Sequence, residues 1–249
     1  MGCGPQGEVD RALSIQSGQL HQLPISGRSP ALSDSALYLP GYGGGLVHLL
    51  ESGPEPALDV ATIHTPAIAP TALHGDRVAL LSAGSVQSFL VTDRVRHIHD
   101  ASPVGWYPPA LTDTHVAWVD TGGVPSETEI WWMPLDGSAD PQRLSASGRH
   151  VIGSPAHLAW VTDTHLFQLD LATGVTSSRP IQTGFHSPPA LWGAVLCWEH
   201  WGATDLDITC DDGLSMSRPG HQQHPSRWGR WLLYREGNLP WLLTAPEPS

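Results

Sequence analysis

Pro108–Asp120 reads PPALTDTHVAWVD, and shortly after it Glu129–Ser145 reads EIWWMPLDGSADPQRLS. The first stretch is an apolar strand behind a Pro-Ala-Leu lead. The second is a strand, an Asp-Gly hairpin turn and a further strand. Working outward, the same lead and apolar strand recur as SPALSDSALYLP from Ser29, PTALHGDRVALLS from Pro70 and HVIGSPAHLAWVT from His150. They recur again as PPALWGAVLCWEH from Pro188 and HPSRWGRWLLYRE from His224. Tyr38, Leu80, Trp118, Trp160, Trp198 and Tyr234 fall at equivalent strand positions, spaced 42, 38, 42, 38 and 36 residues apart. His165–Ile181, HLFQLDLATGVTSSRPI, has the same second half as Glu129–Ser145, with Thr-Gly at its hairpin. Each copy is therefore three or four short antiparallel strands. A unit of that size cannot bury its faces alone, and stacking units around an axis solves the problem. The expected architecture is all-β, a six-bladed β-propeller.

Composition agrees. The 249 residues are 40% hydrophobic, enough for a core, but only 14% charged, with 26 Gly and 23 Pro punctuating the chain. Long amphipathic helices do not fit that punctuation, and no apolar run is long enough to span a membrane as a helix. Twelve basic residues, all Arg, face 24 acidic ones, for a net charge of −12 with the 14 His neutral. Without a basic stripe, nucleic acid is excluded as a partner and anionic membrane surfaces are disfavoured.

The run from Pro108 to Ser145 resembles the repeat of TolB-type propellers, the WD-like family with S-P-D-G, I-A-F-x-S, I-Y-x-M-x-x-D-G and R-L-T elements. The likeness is densest in the third copy and covers roughly residues 9–244 as an architecture. The N-terminal RALSIQSGQLHQLPISG matches the outer half of a copy, whereas the last copy from His224 supplies inner strands and then LPWLLTAP. Joining them gives a composite blade from both termini that leaves no free sheet edge. The expected organisation is a tether over residues 1–8, one propeller domain over 9–244 and a tail over 245–249.

Three cysteines carry expectations of their own. Cys3, within MGCGPQGE, resembles the end of a bacterial lipobox whose signal peptide has been replaced by Met. On that reading it is a lipidation site, and the protein is a periplasmic or outer-membrane-associated lipoprotein. The alternative is an incidental thiol. Cys197 and Cys210 fall on consecutive strands. If their hairpin turns around Ala203-Thr204, residues whose numbers sum to 407 face each other, and 197 + 210 is 407. Direct opposition at a Cα separation of about 5.5 Å suits a disulfide. Two reduced, buried cysteines are the other reading.

Trp118, Trp160 and Trp198 read as packing between blades, and Trp131 and Trp132 must point to opposite faces of one strand. The acid pair Asp211-Asp212 reads as a solvated turn. In a propeller the connections from outer to inner strands converge on one mouth, where function is sought first. They contain Arg28, Trp106, Tyr107, Arg149, His150, His186, His221 and His224. His150, His186 and His224 have the chemistry to hold a divalent transition metal, with Gln222 or Gln223 as an oxygen ligand. This arrangement resembles, loosely, the oligogalacturonate lyases, which implies β-elimination on an acidic sugar with Arg28 or Arg149 on its carboxylate. His97 and His99, alternating in HIHD, are a lesser metal candidate.

Two functions follow. The first is a non-enzymatic binding or scaffold propeller of the cell envelope, monomeric or part of a larger complex, holding a protein or glycan partner and touching the membrane only through a lipid anchor. It needs no cofactor. The alternative is the metal-dependent, lyase-like enzyme at the same mouth.

Overall fold

In the computed structural model, every regular element among the described residues is a β-strand. The described residues are 107–121, 128–181, 188–202, 204–228, 231–236 and 239–244, with strands alone between 11 and 100. β1 (Arg11–Leu13) and β2 (Leu20–Gln22) form a two-stranded sheet. Five four-stranded antiparallel blades follow. Blade 1 is β3 (Ala31–Leu32), β4 (Ala36–Leu39), β5 (Gly45–Leu50) and β6 (Ala57–Thr62). Blade 2 is β7 (Thr71–His74), β8 (Arg77–Ser82), β9 (Ser85–Leu90) and β10 (Arg96–Asp100). Blade 3 is β11 (Ala110–Leu111), β12 (His115–Asp120), β13 (Glu129–Pro134) and β14 (Gln142–Ser145). Blade 4 is β15 (His150–Ser154), β16 (His157–Val161), β17 (His165–Asp170) and β18 (Thr176–Pro180). Blade 5 is β19 (Ala190–Trp192), β20 (Val195–Trp201), β21 (Leu206–Cys210) and β22 (Ser215–Met216). A three-stranded sheet, β23 (Gln222–Trp228), β24 (Trp231–Glu236) and β25 (Leu239–Thr244), comes last.

The first strands touch in succession, β3 on β7, β7 on β11, β11 on β15, β15 on β19 and β19 on β23, so they line the axis. Close approach there requires Gly153, where a Cβ would lie 2.1 Å from the Leu111 carbonyl oxygen. The six repeat-equivalent residues all fall on second strands, Trp118 opposite Trp131, Trp160 opposite Phe167 and Tyr234 opposite Trp241.

The middles of the second strands β12 and β16 are apolar because both of their faces are covered. In β12, Val116 and Trp118 pack with Ala79 of blade 2, while Ala117 and Val119 pack with Val151, Leu158 and Trp160 of blade 4. In β16 the alternation repeats: Ala159 and Val161 meet Leu196 of blade 5. Each fully buried Val or Leu in these layers contributes about 1.5–3 kcal/mol. Trp118 and Trp160 are buried as expected, and half-buried Trp198 carries the Arg179 guanidinium 4.9 Å from its ring centroid. Trp131 joins the blade 2–3 layer and Trp132 the blade 3–4 layer, on opposite faces. The outermost strand β18, by contrast, reads polar: it is TSSRP and mostly exposed.

Polar contacts latch the blades together at the end of the sheets that carries the first hairpins. His74 Nε2 meets Asp113 Oδ1 at 2.7 Å, the Asp113 N–H donates to the Pro155 carbonyl at 2.9 Å, and Ser154 Oγ donates to the Gly193 carbonyl at 2.7 Å. The Asp211-Asp212 turn, expected to be merely solvated, is an inter-blade clamp. Asp211 pairs with Arg179 of blade 4, and Asp212 Oδ2 takes Arg227 Nη2 of β23 at 2.6 Å. Arg227 is held because its side chain is only 4% exposed and its charge needs a counter-ion.

Cys197 and Cys210 are directly opposed and joined in a disulfide. Their Cα atoms are 4.0 Å apart, closer than the sequence reading assumed. The pair is a non-hydrogen-bonded one: the Cys210 N–H turns outward to the Leu214 carbonyl, and the neighbouring Asp211 N–H donates to Leu196. Both residues belong to the layer between blade 5 and β24, with Leu232 and Tyr234.

Two stability predictions follow from these contacts. Asp212→Ala leaves the Arg227 charge without this counter-ion and should lower unfolding free energy by about 2 kcal/mol in urea titration, whereas exposed Asp140→Ala should change it by less than about 0.5 kcal/mol. Cys197→Ala/Cys210→Ala, or the reduced parent, should lose about 2–4 kcal/mol in the same measurement.

Candidate functional site

Antiparallel order brings two sets of segments to the other end of the sheets: the connections into each first strand, and the turns between second and third strands. Tyr107 stands before β11, Arg149 and His150 open β15, and His221 precedes β23. Asp163 lies in the β16–β17 turn and Trp201 closes β20.

Tyr107 and His150 meet edge to face, with ring centroids 4.9 Å apart. Burial, seconded by the Arg149 guanidinium, pushes the His150 pKa down to about 4, so the ring is neutral at pH 7. Arg149 pairs with Asp163 across the face of blade 4; both side chains are largely exposed, and a pair of that kind contributes less than about 1 kcal/mol. Gln222, considered above as a metal ligand, is fully buried and committed elsewhere. Its Nε2 donates to the carbonyls of Arg218 and Gly220, and its Oε1 accepts from the Arg218 N–H. Its amide shapes the loop that presents His221.

The other expected residues divide as follows. Cys3, Arg28, Trp106 and His186 lie outside the described residues. His224 is placed on β23, and His97 and His99 on β10, as backbone only. Among the described residues no three His, Cys, Asp or Glu side chains converge as a metal site.

A constellation that the sequence reading did not single out lies beside His221. His200 and Asp207 are direct partners across β20 and β21, and Trp201 faces Leu206. His200 Nε2 is 4.0 Å from Asp207 Oδ2, which also accepts from Ser217 Oγ at 3.1 Å. Trp201 packs edge to face with His221 at 5.6 Å, and His221 Nδ1 accepts the Leu206 N–H at 3.2 Å. The signal was available: the sum of 407 that opposes Cys197 and Cys210 also opposes His200 and Asp207.

The sequence T-D-T-H, at Thr112–His115 and Thr162–His165, is a second missed feature. In both, the first Thr Oγ1 accepts the N–H groups of the third and fourth residues, fixing the turn, and the second Thr Oγ1 meets the His Nδ1 at 2.8 or 2.9 Å. His115 then stacks on Trp132 at 4.4 Å, and burial lowers its pKa against the pull of Asp136. These are structural turns; the second places Asp163 opposite Arg149.

No family model matches the chain, and no curated protein matches it by sequence. Solved structures do match. A chain of the mitotic checkpoint complex aligns over 93% of this chain and 81% of its own, at 14% identity and a TM-score of 0.56. TolB from Acinetobacter baumannii aligns over 87% of this chain at 14% identity and a TM-score of 0.54; this chain spans 61% of that one. A chain of the nidogen/laminin complex aligns over 81% of this chain and 85% of its own, at 14% identity and a TM-score of 0.50. With the blade order above, these likenesses define the fold as a TolB-like, WD-like β-propeller.

The neutral His150 sets a pH dependence. Its folded pKa lies below the ordinary 6.5, so the unfolded state binds the proton more readily. The contribution is fully present above pH 6.5 and is lost as pH falls towards 4. His150→Phe, which keeps the edge contact with Tyr107, should therefore be flatter than the parent in a pH series of urea titrations. The difference should reach at most about 3 kcal/mol.

Proposed function

We propose that the protein is a non-enzymatic binding or scaffold propeller of a bacterial cell envelope, holding a protein or glycan partner at the end of the blades just described. The observation that carries this reading is the gathering there of Tyr107, His150, His221 and the exposed Trp201, aromatic and imidazole groups of the kind that anchor binding surfaces. The Cys197–Cys210 disulfide supports an oxidising compartment, and Cys3 is the lipid attachment point that fits it. In this reading the ring has six blades, and β1–β2 supply the outer part of the blade that β23–β25 begin.

Site-specific photo-crosslinking in a bacterial host tests it. A benzophenone side chain at Tyr107 or Trp201 should give discrete envelope adducts, and one at Asp136, in the β13–β14 turn at the opposite end, should not. Equal labelling from both ends, or none from Tyr107 and Trp201, would refute the reading. Mass analysis of the N-terminal peptide reports separately on acylation of Cys3.

A further inference from the structure

We infer that the end of blade 5 is a binding site for a neutral pyranose glycan, with Trp201 as the stacking platform and His200, His221 and Asp207 as hydrogen-bonding groups. This deepens the binding-propeller reading and rests on it. Trp201 is 40% exposed, one of two exposed large apolar residues among the described residues. The edge contact with His221 steadies the indole while leaving that area open. Because His221 Nδ1 accepts the Leu206 N–H, the neutral ring carries its proton on Nε2, which is then a donor.

The polar half of the site is the pair His200 and Asp207. His200 has a side chain 37% exposed and Asp207 is only 5% exposed; Asp207 Oδ1 and His200 Nδ1 are buried, so the groups that face outward are His200 Nε2 and Asp207 Oδ2. The 4.0 Å between His200 Nε2 and Asp207 Oδ2 is too long for a direct hydrogen bond and is near the separation of two groups that share one hydroxyl. The surrounding turn is pinned in advance. Gly202 N–H donates to the Asp205 carbonyl and Gly220 N–H to Asp205 Oδ2, both at 2.8 Å. A Cβ at Gly202 would fall 2.4 Å from Asp207 Oδ2, so the backbone hugs the carboxylate.

A pyranose ring with equatorial hydroxyls matches this layout. Its C–H face lies on the indole, and its rim hydroxyls reach the imidazoles and the carboxylate. Charge selects against acidic sugars: Asp205 and Asp207 flank the site, and the chain carries −12.

The test is calorimetric and saturation-transfer titration of the whole chain with cellotriose and chitotriose. Trigalacturonate serves as the acidic comparison. The parent should bind at least one neutral trisaccharide, Trp201→Ala should weaken binding by about tenfold or more, and Trp201→Phe should stay within about threefold. Val175→Ala, the other exposed apolar residue, should bind like the parent. Retained melting temperature and intact disulfide show that each variant is folded. No binding of either neutral sugar near 10 mM (about the weakest affinity worth assigning), equal binding by Trp201→Ala, or preference for trigalacturonate would each overturn the inference. Photo-crosslinking separates its fate from that of the broader reading. Adducts at Tyr107 and Trp201 without sugar binding leave a binding propeller whose partner is a protein; loss of both removes the two together.

Discussion

A short, twisted antiparallel sheet has two faces to bury and only its neighbours to bury them with. In this protein the second strand of each blade carries that constraint. Successive residues of β12 look to blade 2 and blade 4 in turn, and those of β16 to blades 3 and 5. No blade between them owns a core; each layer is half one blade and half the next. That is why the chain reads as apolar runs repeated at near-constant intervals rather than as amphipathic strands, and why large residues recur at the equivalent positions of Trp118 and Trp160. It also explains Gly153, where the first strands crowd towards the axis and even a methyl group has no room.

Apolar burial is non-directional and by itself says little about which polar groups meet between blades. The polar latches add the missing specificity. His74 with Asp113, Asp113 with Pro155, Ser154 with Gly193, and the two arginines on Asp211 and Asp212 each tie one blade to the next at a defined height. They cluster at one end of the sheets. The opposite end is left to connections whose side chains are less committed to holding blades together, and that division makes it the natural place for recognition.

What was legible in the sequence follows from these two roles. The fold was readable because burial on both faces of second strands leaves a periodic apolar signature that one sequence suffices to show. The Cys197–Cys210 pairing was readable because hairpin register is arithmetic. The site was less so. Residues with a recognition role obey no period, and His221 and Gln222, adjacent in the chain, have opposite fates: one presents its ring at the surface, the other vanishes into the loop as a brace. Asp211-Asp212 misled for a related reason. An acid pair in a turn looks solvated until the arginines of two other blades arrive, and Arg179 and Arg227 lie 32 and 15 residues away in sequence.

Blade 5 shows how a departure from the repeat reshapes one end of a sheet. Its outer strand β22 has two residues and covers only Ile208 and Thr209 of β21. The outward N–H of Leu206 therefore meets no strand, and it takes His221 Nδ1 from the next connection instead. That substitution brings an imidazole against Trp201, while Ser217, just past β22, donates from its Oγ to Asp207 Oδ2 at 3.1 Å. A blade cut short loses ladder hydrogen bonds and edge cover. The disulfide lies on the same two strands, three residue pairs from His200 and Asp207, and it holds β20 and β21 in register. A truncated outer strand, a histidine standing in for it and a covalent tie on the same strands form one arrangement: the tie lets this end of the blade keep an exposed indole without the hairpin slipping.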